Sequence, residues 1–368
     1  MPAKKYYNNS FIRNNRQANT RRNKVAFFDL PDFDNHEQVV FCSDEETGLK
    51  AIIAVHSTKL GAAVGGCRMW DYASDEEALV DVLRLSKGMT YKNAMAGLEM
   101  GGGKSVIIGN AKEIKSEALF KAFGNALNGL GGRYYSAEDV NITTGDIAIA
   151  NTVTDYVTGT EGKSGNPAPF TALGTFLGIK ASVKHKLGRD DLEGLKVSIQ
   201  GLGSVGYYLC EHLHKAGAKL VVTDLNQEAL DKVATEFGAE VVGLDEIYDQ
   251  DVDIYAPCAL GATINDNTID RIKAKIVAGC ANNQLAEERH GQALLDRGVL
   301  YAPDYVINAG GIINVSFEND YCADKATKKV EEIYDTLLDV FAKADAENKP
   351  TGIVADEMAR EIIANGGK

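Results

Sequence analysis

The sequence predicts an α/β fold of two domains around a cleft. Short segments rich in β-branched residues alternate with amphipathic helical segments along the chain. A length of 368 residues exceeds what one hydrophobic core usually supports and is typical of two domains. The strongest break in composition is the loop Gly162-Lys163-Ser164-Gly165-Asn166-Pro167-Ala168-Pro169. We therefore expect one α/β domain before this loop and a second one after it.

The composition is that of a soluble globular protein, with 45% hydrophobic and 25% charged residues. No apolar run approaches the roughly 18 to 20 residues of a membrane span, and the N-terminus lacks the apolar core of a secretory signal. The net charge of -13 argues against a nucleic-acid surface on the body of the protein. We expect a cytoplasmic protein.

Residues 1–24 differ from the rest, because they carry seven lysines and arginines, no acid and many asparagines. Such a segment is predicted to be a disordered basic arm. The remaining chain then has a charge of -13 - 7 = -20. A solvated tail is one interpretation of the arm; binding to nucleic acid or to the acidic body of a neighbouring subunit are the others.

The six cysteines form no Cys-x-x-Cys pair and have no histidine at zinc-finger spacing, so free buried thiols are expected. His212 and His214 are two residues apart and would point in different directions on a helix. No metal site is expected.

The first half begins with strand-like segments at 39–42 and 49–56. A capping box at Ser74 and Glu77 starts a helix that runs toward Lys92. A strand at 105–108, a helix at 115–130 and a strand at 134–137 follow, and the last strand ends at Glu138 and Asp139. This alternation predicts a largely parallel sheet, and acids at a strand end favour a cleft.

In the run Gly101-Gly102-Gly103-Lys104, the lysine follows Lys92 by twelve residues. Glycines before a lysine would let a small molecule lie against the backbone. Two lysines in one site can divide the work: one stays charged and holds a carboxylate, while the other is desolvated, has a lowered pKa and moves protons. The alternative is that the run is a tight turn before the strand at 105–108.

The second half opens with a strand at 196–200, the loop Gly201-Leu202-Gly203-Ser204-Val205-Gly206, a helix at 207–216, a strand at 219–223 and then Asp224. This strand, loop and helix, with an acid 23 residues after the first glycine, is the context of a dinucleotide site in a Rossmann domain. Gly201 permits the tight turn, Gly203 admits the pyrophosphate and Gly206 allows close packing. Asp224 can bind both ribose hydroxyls and repels a 2′-phosphate, which favours NAD over NADP.

Strands at 253–257, 275–279 and 299–303 end in small or polar residues, where ligands of open α/β sheets bind. Asn282 and Asn283 follow the second of these strands. They are candidates to contact nicotinamide or substrate, although paired asparagines also cap turns. The expected cofactor contacts are Thr171, Gly201, Gly203, Ser204, Val205, Gly206, Asp224, Cys258, Ala259 and Asn282.

Several motifs occur in order from about residue 36 to the C-terminus: Gly65-Gly66-Cys67-Arg68, Lys92-Asn93, Gly101-Gly102-Gly103-Lys104, Ala137-Glu138-Asp139, Gly165-Asn166-Pro167, the Rossmann loop, Ala281-Asn282-Asn283-Gln284 and Asn308-Ala309-Gly310-Gly311. With them the chain resembles the glutamate/leucine/phenylalanine/valine dehydrogenase family, and within it the leucine dehydrogenases.

The resemblance implies reversible oxidative deamination of an L-amino acid with NAD, giving a 2-oxo acid, NADH and ammonium. It assigns substrate-carboxylate binding to Lys92, activation of the attacking water to Lys104 and proton relay to Asp139. A phenylalanine dehydrogenase of the same family is the first alternative. A non-catalytic NAD-binding regulatory protein is the second, and it predicts the loss of a catalytic group, whereas all of them are present.

The resemblance also places the substrate side chain among Val64, Gly65, Gly66, Ala137, Asn283, Ile312 and Val315. Glutamate dehydrogenases have a lysine near Val64, so a second carboxylate here would be buried without a partner. Phenylalanine dehydrogenases tend to have glycine at Ala137 and leucine at Ile312, and leucine dehydrogenases have alanine and valine. A branched aliphatic substrate is therefore expected, and the bulkier Ile312 leaves the order of leucine, isoleucine and valine open.

We expect four segments: the arm at 1–24, a substrate and oligomerisation domain at 25–170, an NAD-binding domain at 171–327, and C-terminal helices at 328–368 that pack back across the hinge. A helix at 171–185 would join the domains. The resemblance implies a homo-oligomer, commonly an octamer. The loop before Ser164 is shorter than usual in the family and the C-terminus ends earlier, so the number of subunits is not carried over.

Overall fold

The computed structural model describes residues 27–159 and 164–367. The predicted basic arm at 1–24 lies outside the described residues. The described residues up to Phe33 belong to a unit of their own and include a 3-10 turn at Phe27–Asp29. All elements discussed below belong to the unit from Asp34 onward. In the described part of the chain, no helix combines the length and apolar character needed to cross a membrane.

The first half contains one five-stranded sheet and four helices. In chain order they are β1 (Gln38–Asp44), β2 (Leu49–Ser57), β3 (Ala63–Trp70), α1 (Asp75–Met95), β4 (Gly101–Ile108), α2 (Ala111–Ile114), α3 (Glu117–Asn128), β5 (Tyr134–Glu138) and α4 (Thr144–Asn151). The strand order is β1-β2-β4-β3-β5. As predicted, α1 begins after Ser74, whose hydroxyl accepts a hydrogen bond from the amide of Glu77 at 3.2 Å.

The expectation of a largely parallel sheet is wrong for this half. β2 pairs antiparallel with both β1 and β4, and β3 pairs parallel with β4 and β5. The antiparallel pairing of β1 with β2 follows from the turn between them, which is too short for a crossover connection. The three strands that carry the expected site residues are the parallel ones.

Two strand assignments also change. β3 was not predicted, because Gly65 and Gly66 interrupt its β-branched pattern. β4 starts at Gly101, so the glycine-lysine run is strand and not a tight turn. The predicted helix at 115–130 is confirmed as α3, and the short helix α2 before it was not predicted.

The second half contains a six-stranded sheet in which every pairing of described strands is parallel. Its elements up to the last strand are α5 (Ala168–Leu187), β6 (Lys196–Gln200), α6 (Ser204–Lys215), β7 (Lys219–Thr223), α7 (Gln227–Phe237), β8 (Glu240–Val241), β9 (Ile254–Pro257), β10 (Ile276–Val277), α8 (Arg289–Asp296) and β11 (Leu300–Tyr301). The order β11-β10-β9-β6-β7-β8 is that of the doubly wound dinucleotide-binding fold.

The chain ends in five helices: α9 (Asp304–Ile307), α10 (Gly310–Ser316), α11 (Ala323–Glu331), α12 (Ile333–Glu347) and α13 (Thr351–Ala364). The last helix reaches back to the first half, since Arg360 Nε donates a hydrogen bond to the hydroxyl of Tyr91 on α1 at 2.9 Å. On the same face of α13, one turn earlier, Asp356 accepts a hydrogen bond from the hydroxyl of Tyr305 on α9 at 2.8 Å.

The hydrophobic core explains why the two halves meet at α1. One cluster fills the first sheet and α3, with Phe120, Phe123 and Tyr134 fully buried. A second cluster combines the end of α1 with α5, α6, the second sheet and the C-terminal helices. The last turns of α1 are therefore packed in the core of the second half, and this brings Lys92 to the ends of the second sheet.

Candidate functional site

Lys104 and Asp139 form an ion pair at the centre of the site. Lys104 lies on β4 and is 6% exposed, and Asp139 directly follows β5. The Lys104 Nζ is 2.9 Å from Asp139 Oδ2. The register of the parallel strands produces this pairing, because β3 separates β4 from β5 and presents its glycines between the two side chains.

Arg68 on β3 lies close to the carboxylate of this pair and to a second carboxylate. Its Nε lies 3.5 Å from Asp139 Oδ2, and its Nη1 lies 2.9 Å from Asp81 Oδ2 on α1. Burial raises the pKa of the Asp139 carboxyl, but the positive charges of Lys104 and Arg68 outweigh burial and leave this pKa below its ordinary value. Asp139 is therefore held as a carboxylate.

Lys92 occupies the last turn of α1 and faces the second half of the chain. Its Nζ donates a hydrogen bond to Asn282 Oδ1 at 3.4 Å. Burial lowers the pKa of Lys92 to about 8; Asp304 raises it and the charge of Lys104 lowers it further. Burial also raises the pKa of the Asp304 carboxyl. Both groups are thus shifted toward their neutral forms. A carboxylate placed beside Lys92 would raise the pKa of the lysine again and favour its charged form.

The three glycines of β4 have a different task from the predicted one. A Cβ on Gly102 would lie 2.0 Å from the backbone nitrogen of Thr90 on α1, and a Cβ on Gly103 would lie 2.6 Å from the ring of Tyr134. The glycines are therefore needed for packing against protein atoms, whereas the sequence suggested that they let a substrate lie on the backbone. The close approach of α1 to β4 is what brings Lys92 near Lys104.

The expected side-chain pocket residues fall into two groups. Val64, Gly65 and Gly66 lie on β3, and the register pairs Gly66 with Ala137 on β5. A Cβ on Gly66 would lie 2.7 Å from the Cβ of Asp139, so this glycine leaves room for the carboxylate. Ile312 and Val315 form the second group, on α10 of the other half.

The glycine loop after β6 has the shape that a dinucleotide requires. Gly201 has φ +105°, and a Cβ there would lie 2.6 Å from Ala259, while a Cβ on Gly206 would lie 2.1 Å from the carbonyl oxygen of Gly201. The space around Gly203 is open. Helix α6 begins with Ser204 and Val205 and has no side-chain cap, so its first amides are available to an anion.

Asp224 lies at the end of β7 beside this loop. It accepts hydrogen bonds from the amides of Leu202 at 2.5 Å and Asn226 at 2.7 Å. Each carboxylate oxygen can accept more than one hydrogen bond, so Asp224 can still bind the hydroxyls of a ribose. Cys258 continues β9 next to the loop, since its amide donates to the carbonyl of Gln200 at 2.8 Å. These residues fit a dinucleotide.

Three further residues that were predicted to bind cofactor or substrate are Thr171, Asn282 and Asn283. Thr171 lies in the first turn of α5, and a Cβ on Gly311 would lie 2.7 Å from its hydroxyl oxygen. Asn282 accepts hydrogen bonds from Lys92 and, at 2.7 Å, from Asn308. Asn283 has φ +52° and lies in a turn against Gly261, a left-handed conformation that asparagine tolerates.

Arg68, Asp304 and Asn308 contribute to the site, although no role there was predicted for them. Asp304 follows the predicted strand at 299–303, so the strand-end signal that singled out Asp139 and Asp224 could also have found it. Asn308 holds Asn282 toward Lys92. Arg68 was visible as part of a motif, but its two carboxylate partners depend on contacts with α1 and β5 that spacing does not reveal.

Both halves of the chain are similar to known proteins. The family model "Glu/Leu/Phe/Val dehydrogenase, dimerisation domain" matches residues 36–162, and "Glutamate/Leucine/Phenylalanine/Valine dehydrogenase" matches residues 164–344. Leucine dehydrogenase from Thermoactinomyces intermedius is 56% identical over 92% of this chain and 94% of that protein. Leucine dehydrogenase from Bacillus subtilis is 54% identical over 89% of this chain and 92% of that protein.

Solved structures agree with this assignment. L-tryptophan dehydrogenase from Nostoc punctiforme is similar with a TM-score of 0.81 and 47% identity, covering 90% of this chain and 97% of that chain. A glutamate dehydrogenase from Thermus thermophilus shares the fold, with a TM-score of 0.74 at 20% identity over 90% of this chain and 89% of that one. The chain is an amino-acid dehydrogenase and belongs to the glutamate/leucine/phenylalanine/valine dehydrogenase family.

Proposed function

We propose that the protein catalyses the reversible, NAD-dependent oxidative deamination of branched-chain L-amino acids to 2-oxo acids and ammonium. The observation that carries this proposal is the Lys104–Asp139 ion pair together with Lys92, which lies near it on α1 and donates a hydrogen bond to Asn282 of the second half. Relatives at 54–56% identity that are named leucine dehydrogenases support the same substrate class.

In this mechanism the protonated Lys92 binds the substrate carboxylate and fixes the α-carbon in the cleft. The glycine loop and Asp224 would hold NAD, which would supply the hydride acceptor for that carbon. Asp139, 2.9 Å from the Lys104 Nζ, exchanges protons with the substrate nitrogen and with Lys104, and Lys104 in its neutral form removes a proton from the water that attacks the substrate imine. Arg68 keeps Asp139 ionised between these transfers.

The proposed side-chain pocket is apolar and small. Val64 is 5% exposed and carries no charge that could meet a second carboxylate, so glutamate is a poor substrate. Ala137 narrows the pocket relative to a glycine, and this favours a branched aliphatic chain over an aromatic ring. The choice between neighbouring aliphatic chains is worth only about 1 to 3 kcal/mol.

A spectrophotometric NADH assay over leucine, isoleucine, valine, phenylalanine and glutamate tests this function. We expect the aliphatic substrates to have kcat/KM at least about tenfold above that of phenylalanine, and glutamate to be lowest. A preference for phenylalanine would replace the proposal with the phenylalanine dehydrogenase alternative. Lack of turnover with every substrate, while NADH still binds, would favour the non-catalytic alternative.

The pKa of Lys92 predicts how carboxylate binding depends on pH. An inhibitor such as 4-methylpentanoate has the carboxylate but no amino group, so its own charge is constant from pH 6 to 10. Its inhibition constant should be flat below the Lys92 pKa of about 8 and rise about tenfold per pH unit above it. Arginine stays protonated, so Lys92→Arg should remove the rise. A flat profile in the wild type would exclude Lys92 as the carboxylate site.

Asp224 is proposed to select NAD. Asp224→Ser removes the charge that opposes a 2′-phosphate, and the ratio of kcat/KM for NAD to that for NADP should fall by about 10- to 100-fold. Asp231→Ser, on α7, is the control and should leave the ratio unchanged. An unchanged ratio in Asp224→Ser would mean that another residue discriminates between the cofactors.

We also propose a cytoplasmic homo-oligomer assembled through the first half. The support is the description of the matching family model as a dimerisation domain. The number of subunits is measurable by light scattering of the purified protein.

A further inference from the structure

Two polar side chains beside the predicted pocket tie the halves of the chain together. The carboxylate of Glu318, just after α10, accepts a hydrogen bond from the amide of Gly159 at 2.6 Å and another from the hydroxyl of Thr158. Asn314, within α10, donates a hydrogen bond from Nδ2 to the carbonyl of Ser164 at 2.9 Å. These hydrogen bonds hold the segment that carries Ile312 and Val315 against Thr158, Gly159 and Ser164, which precede α5.

The segment that Glu318 holds lies directly against the other wall of the pocket. The amide of Thr158 donates to the carbonyl of Ser136 on β5 at 2.9 Å, so Thr158 is fixed beside the residue preceding Ala137. A Cβ on Gly159 would lie 3.8 Å from the Cβ of Ala137. One carboxylate oxygen therefore connects the backbone next to Ala137 with the end of the helix that carries Ile312 and Val315.

The burial of these contacts gives them their strength. Glu318 is 7% exposed and Asn314 is 0% exposed. A buried carboxylate needs its hydrogen-bond donors, and a buried amide that loses its acceptor is left unsatisfied. The distance between the two walls is consequently restrained by polar contacts, which have a preferred length.

We propose that Glu318 is a positioning residue that sets the width of the side-chain pocket and thereby its preference for branched aliphatic side chains. It does not contact the reacting atoms. The inference rests on the proposed function, since it assigns the control of substrate choice in the same site.

The test compares kcat/KM for leucine and for phenylalanine in Glu318→Gln, Thr158→Val and Thr158→Ser. Glutamine replaces a charged acceptor with a weaker neutral one, and valine removes a donor without changing the side-chain shape. Both should lower the ratio of leucine to phenylalanine by about fivefold, the effect expected from one weakened buried hydrogen bond. Thr158→Ser keeps the hydroxyl and should therefore have the wild-type ratio.

Glu37→Gln is the matched control, because Glu37 also accepts hydrogen bonds from one backbone amide and one threonine hydroxyl, those of Thr58 at 2.6 Å and 2.7 Å. It should leave the ratio unchanged. If Glu318→Gln does not fold, the Thr158 pair decides the question. Unchanged ratios in Glu318→Gln and Thr158→Val would overturn the inference, whereas a wild-type enzyme that does not turn over leucine would overturn the proposed function itself.

Discussion

Replacing Lys104 with alanine should lower kcat for leucine deamination by about 10²- to 10⁴-fold, the range typical of a lost acid-base group. The side chain is buried against Asp139, so water does not offer an equally placed base. The glycine loop and Asp224 are on the other sheet and are unchanged by this substitution. NADH binding, measured by fluorescence titration, should therefore stay within a factor of about two of the wild type.

The chain provides a matched control for this variant in the ion pair of Lys115 with Asp146 on α4. Lys115→Ala also removes a lysine from a carboxylate, but it should keep wild-type kcat. An active Lys104→Ala enzyme would mean that another group activates the water. A Lys104→Ala protein that no longer binds NADH would show that the lysine supports the fold and would leave the assignment of the base without support.

Asp139→Asn should lower kcat by about 10²- to 10³-fold with little change in the volume of the site. Asparagine cannot carry the relayed proton, and it leaves Lys104 and Arg68 without their shared negative charge. The measurement is the single-turnover rate of NADH formation with saturating NAD and leucine, which separates chemistry from product release.

Asp146→Asn is the control for this second prediction. Asp146 accepts hydrogen bonds from the amide and hydroxyl of Thr143 as part of a capping box, so its replacement costs about 1 kcal/mol of stability. We expect Asp146→Asn to lower the melting temperature and keep kcat, whereas Asp139→Asn lowers kcat. A loss of kcat of equal size in both variants would attribute the effect of Asp139 to folding.

The sequence predicted the second half of the fold well, because its signals are local. The order of strand, glycine loop, helix, strand and acid lies within about 30 residues, and the close contact of Gly206 with Gly201 is made inside that unit. The first half was predicted less well. β3 was missed since Gly65 and Gly66 lower strand propensity, yet a Cβ on Gly65 would lie 1.9 Å from the carbonyl of Gly103 on β4.

The site, like the fold, was predicted only in part. Lys92, Lys104 and Asp139 were predicted from motifs, but the contacts of Lys92 with Asn282 and of Asp139 with Arg68 were not. Asn282 is 190 residues from Lys92, and Asp81 and Asp139 meet Arg68 only after α1 and β5 have packed. Spacing in a sequence carries no information on such contacts, because they depend on the register of strands and the angle of a helix.

The contact between the last helix and α1 has a consequence for synthesis of the chain on the ribosome. The first sheet can form early, since its strands all precede residue 139. The hydrogen bond of Tyr91 can form only after Arg360, 269 residues later in the chain, has been synthesised. In the same way, the hydrogen bond of its neighbour Lys92 requires Asn282. A nascent chain that has completed its first sheet can thus hold Lys104 and Asp139 together, whereas the site is complete only when the second sheet has also formed.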